Sequence, residues 1–208
     1  MAKPTAELEI DRRLIEAAKQ SPVAFGVLYD RYVDRIYSYA YYRTGDATSA
    51  EDITAETFRA ALESIDRYEW RGLPFSAWLY RIASNAIAGE YRRSRPCVPL
   101  EDLYELSDDG ESAAELLEKQ EMAKNLADLV RALPQDQQQV IVLRFCQGLR
   151  SKQVASIMNR SEGAVKALLH RAIVSLRSRL GDARLSGDGG QRQGRGRKAR
   201  PTTGDDDE

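Results

Sequence analysis

Residues Ser151 to Ala172 read SKQVASIMNRSEGAVKALLHRA, and the fold turns on this stretch. Val154, Ala155 and Met158 recur at helical spacing ahead of the turn-forming pair Asn159-Arg160, and Val165, Leu168 and Leu169 recur after it. Two short helices of this kind bury their apolar stripes on each other. The spacing therefore predicts a helix-turn-helix, with a first helix over Ser151–Met158 and a second from Ser161 to about Leu180. Such packing leaves Lys166, Ala167, His170 and Arg171 on the opposite face of the second helix. Long cations around a small residue suit a DNA major groove edged by phosphates. The same spacing also fits a plain helical hairpin with a solvated basic face.

Working outward, the apolar spacing is helical nearly everywhere. A helix around Ala113 to Ala132 and another from Gln135 to Gln147, carrying Val140, Ile141, Leu143 and Phe145, precede the turn at Gly148-Leu149. Towards the N-terminus, Leu8, Ile10, Leu14, Ile15 and Ala18 mark one amphipathic helix. Ser21-Pro22 opens a second, with serine as N-cap and proline at the first helical position; its apolar side is Phe25, Leu28, Tyr29, Tyr32, Ile36 and Ala40. A third, from about Ala50 to Ser64, is expected to bury Ile53, Thr57, Ala61 and Leu62. A fourth, from Phe75 to about Arg93, turns Trp78, Leu79, Ile82, Ala86 and Ile87 inward. The expectation is an all-α protein of two small helical domains, residues 1–96 and 113–181. A flexible acidic linker, residues 97–112, joins them, and the Gly/Arg/Asp-rich residues 182–208 form a disordered tail, too apolar-poor to offset the cost of ordering.

Composition narrows the function classes. Charged residues make up 30% of the 208 residues for a net charge of −1, so distribution matters more than the total. Basic residues gather over Arg81–Arg95 and Arg144–Arg184, whereas Glu101–Glu121 is almost purely acidic. Cys97 and Cys146 lie far apart without a Cys-x-x-Cys, and His170 is the only histidine, so neither a zinc site nor a disulfide framework is expected. No stretch approaches a membrane span, and nothing asks for a cofactor; a soluble cytoplasmic chain is expected.

A second signal surrounds the last loop of the first domain. Tyr68, Trp70 and Trp78, with Tyr80, Asn85 and Tyr91, accompany Arg71, Arg81, Arg92, Arg93 and Arg95. Aromatic rings receive unstacked bases while arginines neutralise the backbone, so this mixture favours single-stranded nucleic acid. The plain alternative makes Trp78 and Tyr80 core or boundary residues, with Trp70 on the loop the better candidate for exposure.

Here the sequence resembles a known family. Residues 50–62, AEDITAETFRAAL, and residues 75–85, FSAWLYRIASN, are similar to region two of the extracytoplasmic-function sigma factors, and Leu133 to Arg177 is similar to their region four. The resemblance implies a subunit that carries RNA polymerase to a promoter and helps open it. It implies docking of Asp52, Glu56 and Arg59 on the clamp of the largest polymerase subunit, and contact of region four with the flap of the second-largest subunit. Many family members carry glutamine where Ala55 stands. Minus-ten recognition and base capture fall to Tyr68, Trp70, Arg71, Arg81, Asn85, Arg92 and Arg93; minus-thirty-five reading falls to Lys166, Ala167, His170 and Arg171. The loop YEWRGLPF, residues 68–75, is one residue longer than the commoner family pattern. Family members commonly meet an anti-sigma partner, and the chain is expected to be a monomer when free.

Other classes remain open at this stage. A helix-turn-helix regulator binding an operator would leave the first domain as sensor or dimeriser, and the Trp/Tyr/Arg-rich first domain argues against it. An enzyme would require a phosphate-binding glycine loop, metal cluster or nucleophile–base pair, and none is legible.

Overall fold

The computed structural model describes residues 6–93 and 113–188, with side chains over 6–91 and 121–181. The acidic linker 97–112, Arg95, and residues 189–208 of the tail lie outside the described residues. The first half consists of α1 (Ala6–Gln20), α2 (Pro22–Thr44), α3 (Ala47–Ser64) and α4 (Phe75–Arg93). The second consists of α5 (Ala113–Arg131), α6 (Gln135–Ile141), α7 (Ser151–Met158) and α8 (Glu162–Asp188). A 3-10 turn, Ile65–Arg67, follows α3, and a π-helical stretch, Val142–Cys146, continues α6. The described residues contain no strand, in keeping with the all-α pattern of the sequence.

Local chemistry sets the boundaries. Ser21 stands extended ahead of Pro22 and supplies its carbonyl to Ala24 and Phe25, while its hydroxyl makes no cap bond. Gly45 ends α2 at φ 74°, a left-handed position suited to glycine, and donates its N–H to Tyr41 O at 2.8 Å. Asp46 then caps α3 by accepting the Ser49 N–H at 2.7 Å. In the second half, the Gln147 N–H reaches back five residues to Val142 O at 3.0 Å. This wider turn adds a residue to the helical register, which accounts for Phe145 being 61% exposed although its spacing predicts an inward position. Ile10, Tyr29 and Leu62 are likewise exposed at the edges of apolar faces expected to be buried. Helix α8 passes Gly181 and reaches Asp188, beyond the stop expected near Leu180; extending a formed helix costs far less than nucleating one.

Helix α2 is the axis of the first half and packs against α1, α3 and α4. Leu28, Tyr32, Ile36 and Tyr39 from α2 are buried with Ala61 from α3 and with Leu79, Ala83 and Ile87 from α4. In the second half, α8 packs on α5, α6 and α7 around Val140, Leu143, Val154 and Val165.

The halves meet along a polar seam. Arg43 Nε donates to Gln138 Oε1 at 2.9 Å, Gln138 Nε2 donates to Arg43 O at 3.0 Å, and Arg43 Nη1 donates to the Tyr39 hydroxyl at 2.9 Å. Both Arg43 and Gln138 are buried. Alongside them, the Tyr80 hydroxyl donates to Gln147 Oε1 at 2.7 Å and Gln139 Nε2 donates to Ser84 Oγ at 2.8 Å, while α4 packs against α7.

Gln138→Ala removes the carboxamide that satisfies a buried guanidinium, a loss of about 1–3 kcal/mol. The expected outcome in small-angle scattering is a larger radius of gyration with unchanged helicity by circular dichroism. A wild-type scattering curve would mean that apolar packing alone holds the halves together.

Candidate nucleic-acid interface

The helix-turn-helix forms over the expected residues. Asn159 adopts a left-handed conformation (φ 52°, ψ 47°) that stops α7, with Arg160 N–H bonded to Ala155 O at 2.9 Å. Asparagine tolerates that region better than most side chains. Ser161 Oγ accepts the Ala164 N–H at 3.2 Å and starts α8. Val154, Ala155, Val165 and Leu168 are buried between the helices, with Met158 and Leu169 partly buried beside them. Lys166, Ala167, His170 and Arg171 are all exposed on α8. Lys166 Nζ lies 2.9 Å from Glu162 Oε1, and this bond lowers the Glu162 pKa. The face is therefore basic at Arg171 and partly neutralised one turn earlier. Arg160 pairs with Asp136, which ties the turn to the start of α6.

The loop between the 3-10 turn and α4 borders a cleft of about 430 Å³. Arg67, Arg71 and Arg81 supply its cations and Tyr68 and Trp78 its rings, while Ser156 of α7 borders it from the second half. The rings are held in place. Tyr68 lies 4.7 Å from Trp78 and 5.6 Å edge-on from Phe75, centroid to centroid, and Phe75 lies 5.4 Å from Trp78. Burial first, then the nearby Asp11 carboxylate, pushes the Tyr68 hydroxyl pKa up to about 12, so it stays a neutral donor at physiological pH.

Trp70 departs from its expected exposure. It is half-buried against the core, because the short loop folds its large apolar ring back onto the domain. It does not line the cleft, whereas Trp78 does. Asn85 is exposed on α4, two turns beyond Trp78 on the same face, and also lies outside the cleft lining. Tyr91 donates its hydroxyl to Arg43 O at 2.5 Å and so is tied to the seam. Arg92 and Arg93 are part of α4, but their side chains fall outside the described residues.

On α3, Asp52, Glu56 and Arg59 share an exposed stripe with Leu62 and Glu63. Arg59 binds both oxygens of Glu56, with Nη2 at 2.7 Å, and donates to Glu63 Oε1 at 2.6 Å. Asp52 makes no ion pair among the described residues. The stripe thus presents an uncompensated acid at one end and an apolar side chain at the other. The described residues contain no group of His, Cys, Asp and Glu placed to hold a metal ion, and no helix among them is long and apolar enough to cross a membrane.

Sequence reading missed Asp11, Arg43, Ser84, Gln138 and Gln147. These polar residues sit within helical patterns, and no short motif links partners as distant as Arg43 and Gln138.

Comparison with known proteins matches both halves. A family model of sigma-70 region 2 matches residues 28–96, and one of sigma-70 region 4 matches residues 123–176. The ECF RNA polymerase sigma factor BldN of Streptomyces coelicolor is 36% identical over 185 residues, covering 86% of this chain and 70% of that protein. The ECF RNA polymerase sigma factor SigW of Bacillus subtilis is 30% identical over 186 residues, covering 85% of this chain and 99% of that protein. Among solved structures, CnrH in complex with the cytosolic domain of CnrY aligns with a TM-score of 0.63 at 27% identity, over 83% of this chain and 97% of that one.

Lys166→Ala and Arg171→Ala should each lower the slope of log affinity against log salt by about one on a labelled duplex, followed by fluorescence anisotropy. Unchanged affinity and slope in both variants would take this face of α8 off the DNA.

Proposed function

The chain belongs to the extracytoplasmic-function family of RNA polymerase sigma factors, and from that premise we propose which of its surfaces carry each step of initiation. As a sigma factor it binds core RNA polymerase, directs it to promoters and assists their opening. One observation carries the assignment: matches to region 2 and region 4 occur in order in a single chain, whereas a regulator acting through its helix-turn-helix alone leaves the first match unexplained.

The α3 stripe of Asp52, Glu56, Arg59 and Leu62 docks on the clamp of the largest subunit, with the unpaired Asp52 as the first charge to meet a basic partner. The second half, residues 113–181, rests on the flap and offers Lys166, Ala167, His170 and Arg171 to the minus-thirty-five element. The cleft beside the 68–74 loop takes the minus-ten base. Arg71 and Arg81 neutralise the backbone there, and Trp78 and Tyr68 offer ring faces. Tyr68, Trp70, Asn85, Arg92 and Arg93 complete the minus-ten surface, with Trp70 bracing the loop from behind.

In the free chain α7 packs against α4, and Ser156 borders the cleft. Core enzyme fixes their separation along the promoter, which parts the seam. Its neutral hydrogen bonds exchange for bonds to water at a net cost of about 0.5–1.5 kcal/mol each, and the bond from the charged Arg43 at about 1.5–3 kcal/mol. Specificity then arises from two weak readers held at one spacing. The chain acts in the cytoplasm, contributes no catalytic step of its own and uses no cofactor. An anti-sigma partner would act by covering these same surfaces. The linker 97–112, rich in acids, would thread through basic surroundings in the polymerase channel.

Arg71→Ala and Arg81→Ala should reduce open-complex formation on a duplex promoter about tenfold or more while initial recruitment of polymerase stays within about twofold, since a base reaches the cleft only after leaving the helix. Permanganate footprinting on duplex and pre-melted templates reads the difference. Equal loss of recruitment and melting would assign the loop to docking instead.

A further inference from the structure

Helix α1 precedes the stretch matched by the region 2 model, which begins at residue 28, and none of the roles above uses it. It nevertheless supplies Asp11, the only fully buried carboxylate among the described residues. Asp11 Oδ1 accepts the Tyr32 hydroxyl at 2.6 Å and lies 3.4 Å from Arg31 Nε, and Oδ2 accepts the backbone N–H of Phe75 at 3.1 Å. A carboxylate is expensive to bury unless its lone pairs are met, so the contacts that keep it there have to be specific.

The position of Phe75 gives this bond its meaning. Phe75 is the first residue of α4, where backbone N–H groups have no acceptor within the helix. A negative charge at that end also suits the helix dipole. Local side chains commonly supply such caps, but here the acceptor comes from another helix, 64 residues away in sequence. The Phe75 ring is fully buried and packs on Tyr32, Tyr68 and Trp78. Asp11 thus grips the point where the 68–74 loop ends and the helix bearing Trp78, Arg81 and Asn85 begins. The same carboxylate holds Tyr32, whose ring supports Phe75 from α2.

We propose that Asp11 is a positioning residue for promoter opening, setting the exit of the minus-ten loop through the Phe75 amide and Tyr32, so that α1 is a working part of the base-capture site. This rests on the reading of the cleft as the site that receives the flipped base. Losing the grip lets the loop and the first turn of α4 shift together, so the cleft is no longer preformed when the base leaves the duplex. The docking stripe on α3 and the recognition face on α8 make no contact with Asp11 and keep their function.

The test compares Asp11→Asn, Asp11→Ala and Tyr32→Phe with Ile15→Ala, a buried α1 side chain with no polar bond to α4. All are assayed in the full chain with core polymerase, well below their melting temperatures. Both Asp11 variants should bind core polymerase within about twofold of wild type and lose open-complex formation by about tenfold or more. On a pre-melted template they should lose discrimination between bases at the captured position, a readout that stability alone does not move. Tyr32→Phe keeps the Phe75 bond and should fall between, while Ile15→Ala should behave as wild type. If Asp11→Ala does not fold, Asp11→Asn carries the test, because its single amide oxygen cannot accept from both the Tyr32 hydroxyl and the Phe75 N–H and its charge is gone, so the two-sided grip is broken. Melting and base discrimination at the level of Ile15→Ala would overturn the proposal. Should Arg71→Ala and Arg81→Ala also melt the promoter normally, the base-capture reading itself fails; if only the Asp11 variants do, this inference alone fails.

Discussion

A buried polar group has to find its partner inside the protein, and three such groups, Asp11, Arg43 and Gln138, hold the chain in its observed arrangement. Asp11 ties α1 and α2 to the first amide of α4. Arg43 and Gln138 satisfy each other across the junction of the two halves. Apolar burial supplies the bulk of the driving force, but it is non-directional and tolerates sliding of one helix over another. Hydrogen bonds between buried groups do not, since misalignment leaves a donor or acceptor unmet. The aromatic cluster of Tyr32, Phe75, Tyr68 and Trp78 fills the space that this frame leaves.

The two polar contacts differ in what they permit. Around Asp11 the partners lie within one half and are enclosed by packed rings, so the loop at residues 68–74 is held against a rigid base. Along the seam most of the directional contacts are side-chain amides and hydroxyls, which water replaces at little net cost. On the proposed reading, in which core enzyme separates two DNA-reading surfaces, a chain that folds with α4 against α7 benefits from a junction of that kind.

Much of the architecture was legible because local signals act through neighbouring residues. Pro22, Asn159 and Ser161 each fix a helix boundary through their own backbone or side-chain chemistry, whereas the Asp46 cap starts α3 at Ala47, ahead of the expected Ala50. The exposed face of α8 followed from helical periodicity for the same reason. Exposure of Tyr29, Leu62 and Phe145 was not legible, since it depends on where a neighbouring helix stops covering a face and, for Phe145, on the π turn in front of it. The half-buried Trp70 reflects a short loop folding onto its own domain. Asp11, Arg43 and Gln138 escaped notice because each looks like one more polar residue in an amphipathic helix, and their partners are set by tertiary packing.

The proposed reading makes one strong demand: neither DNA-reading surface is sufficient, and core enzyme brings them to a common spacing. Run-off transcription on a promoter mapped from in vivo start sites measures that demand directly, with purified core polymerase and the chain supplied separately and together. Together they should yield one discrete transcript from the mapped start, whereas core enzyme alone yields none there and the chain alone leaves the promoter unprotected. A chain that protects the promoter fully without core enzyme and adds no transcript with it would contradict the account.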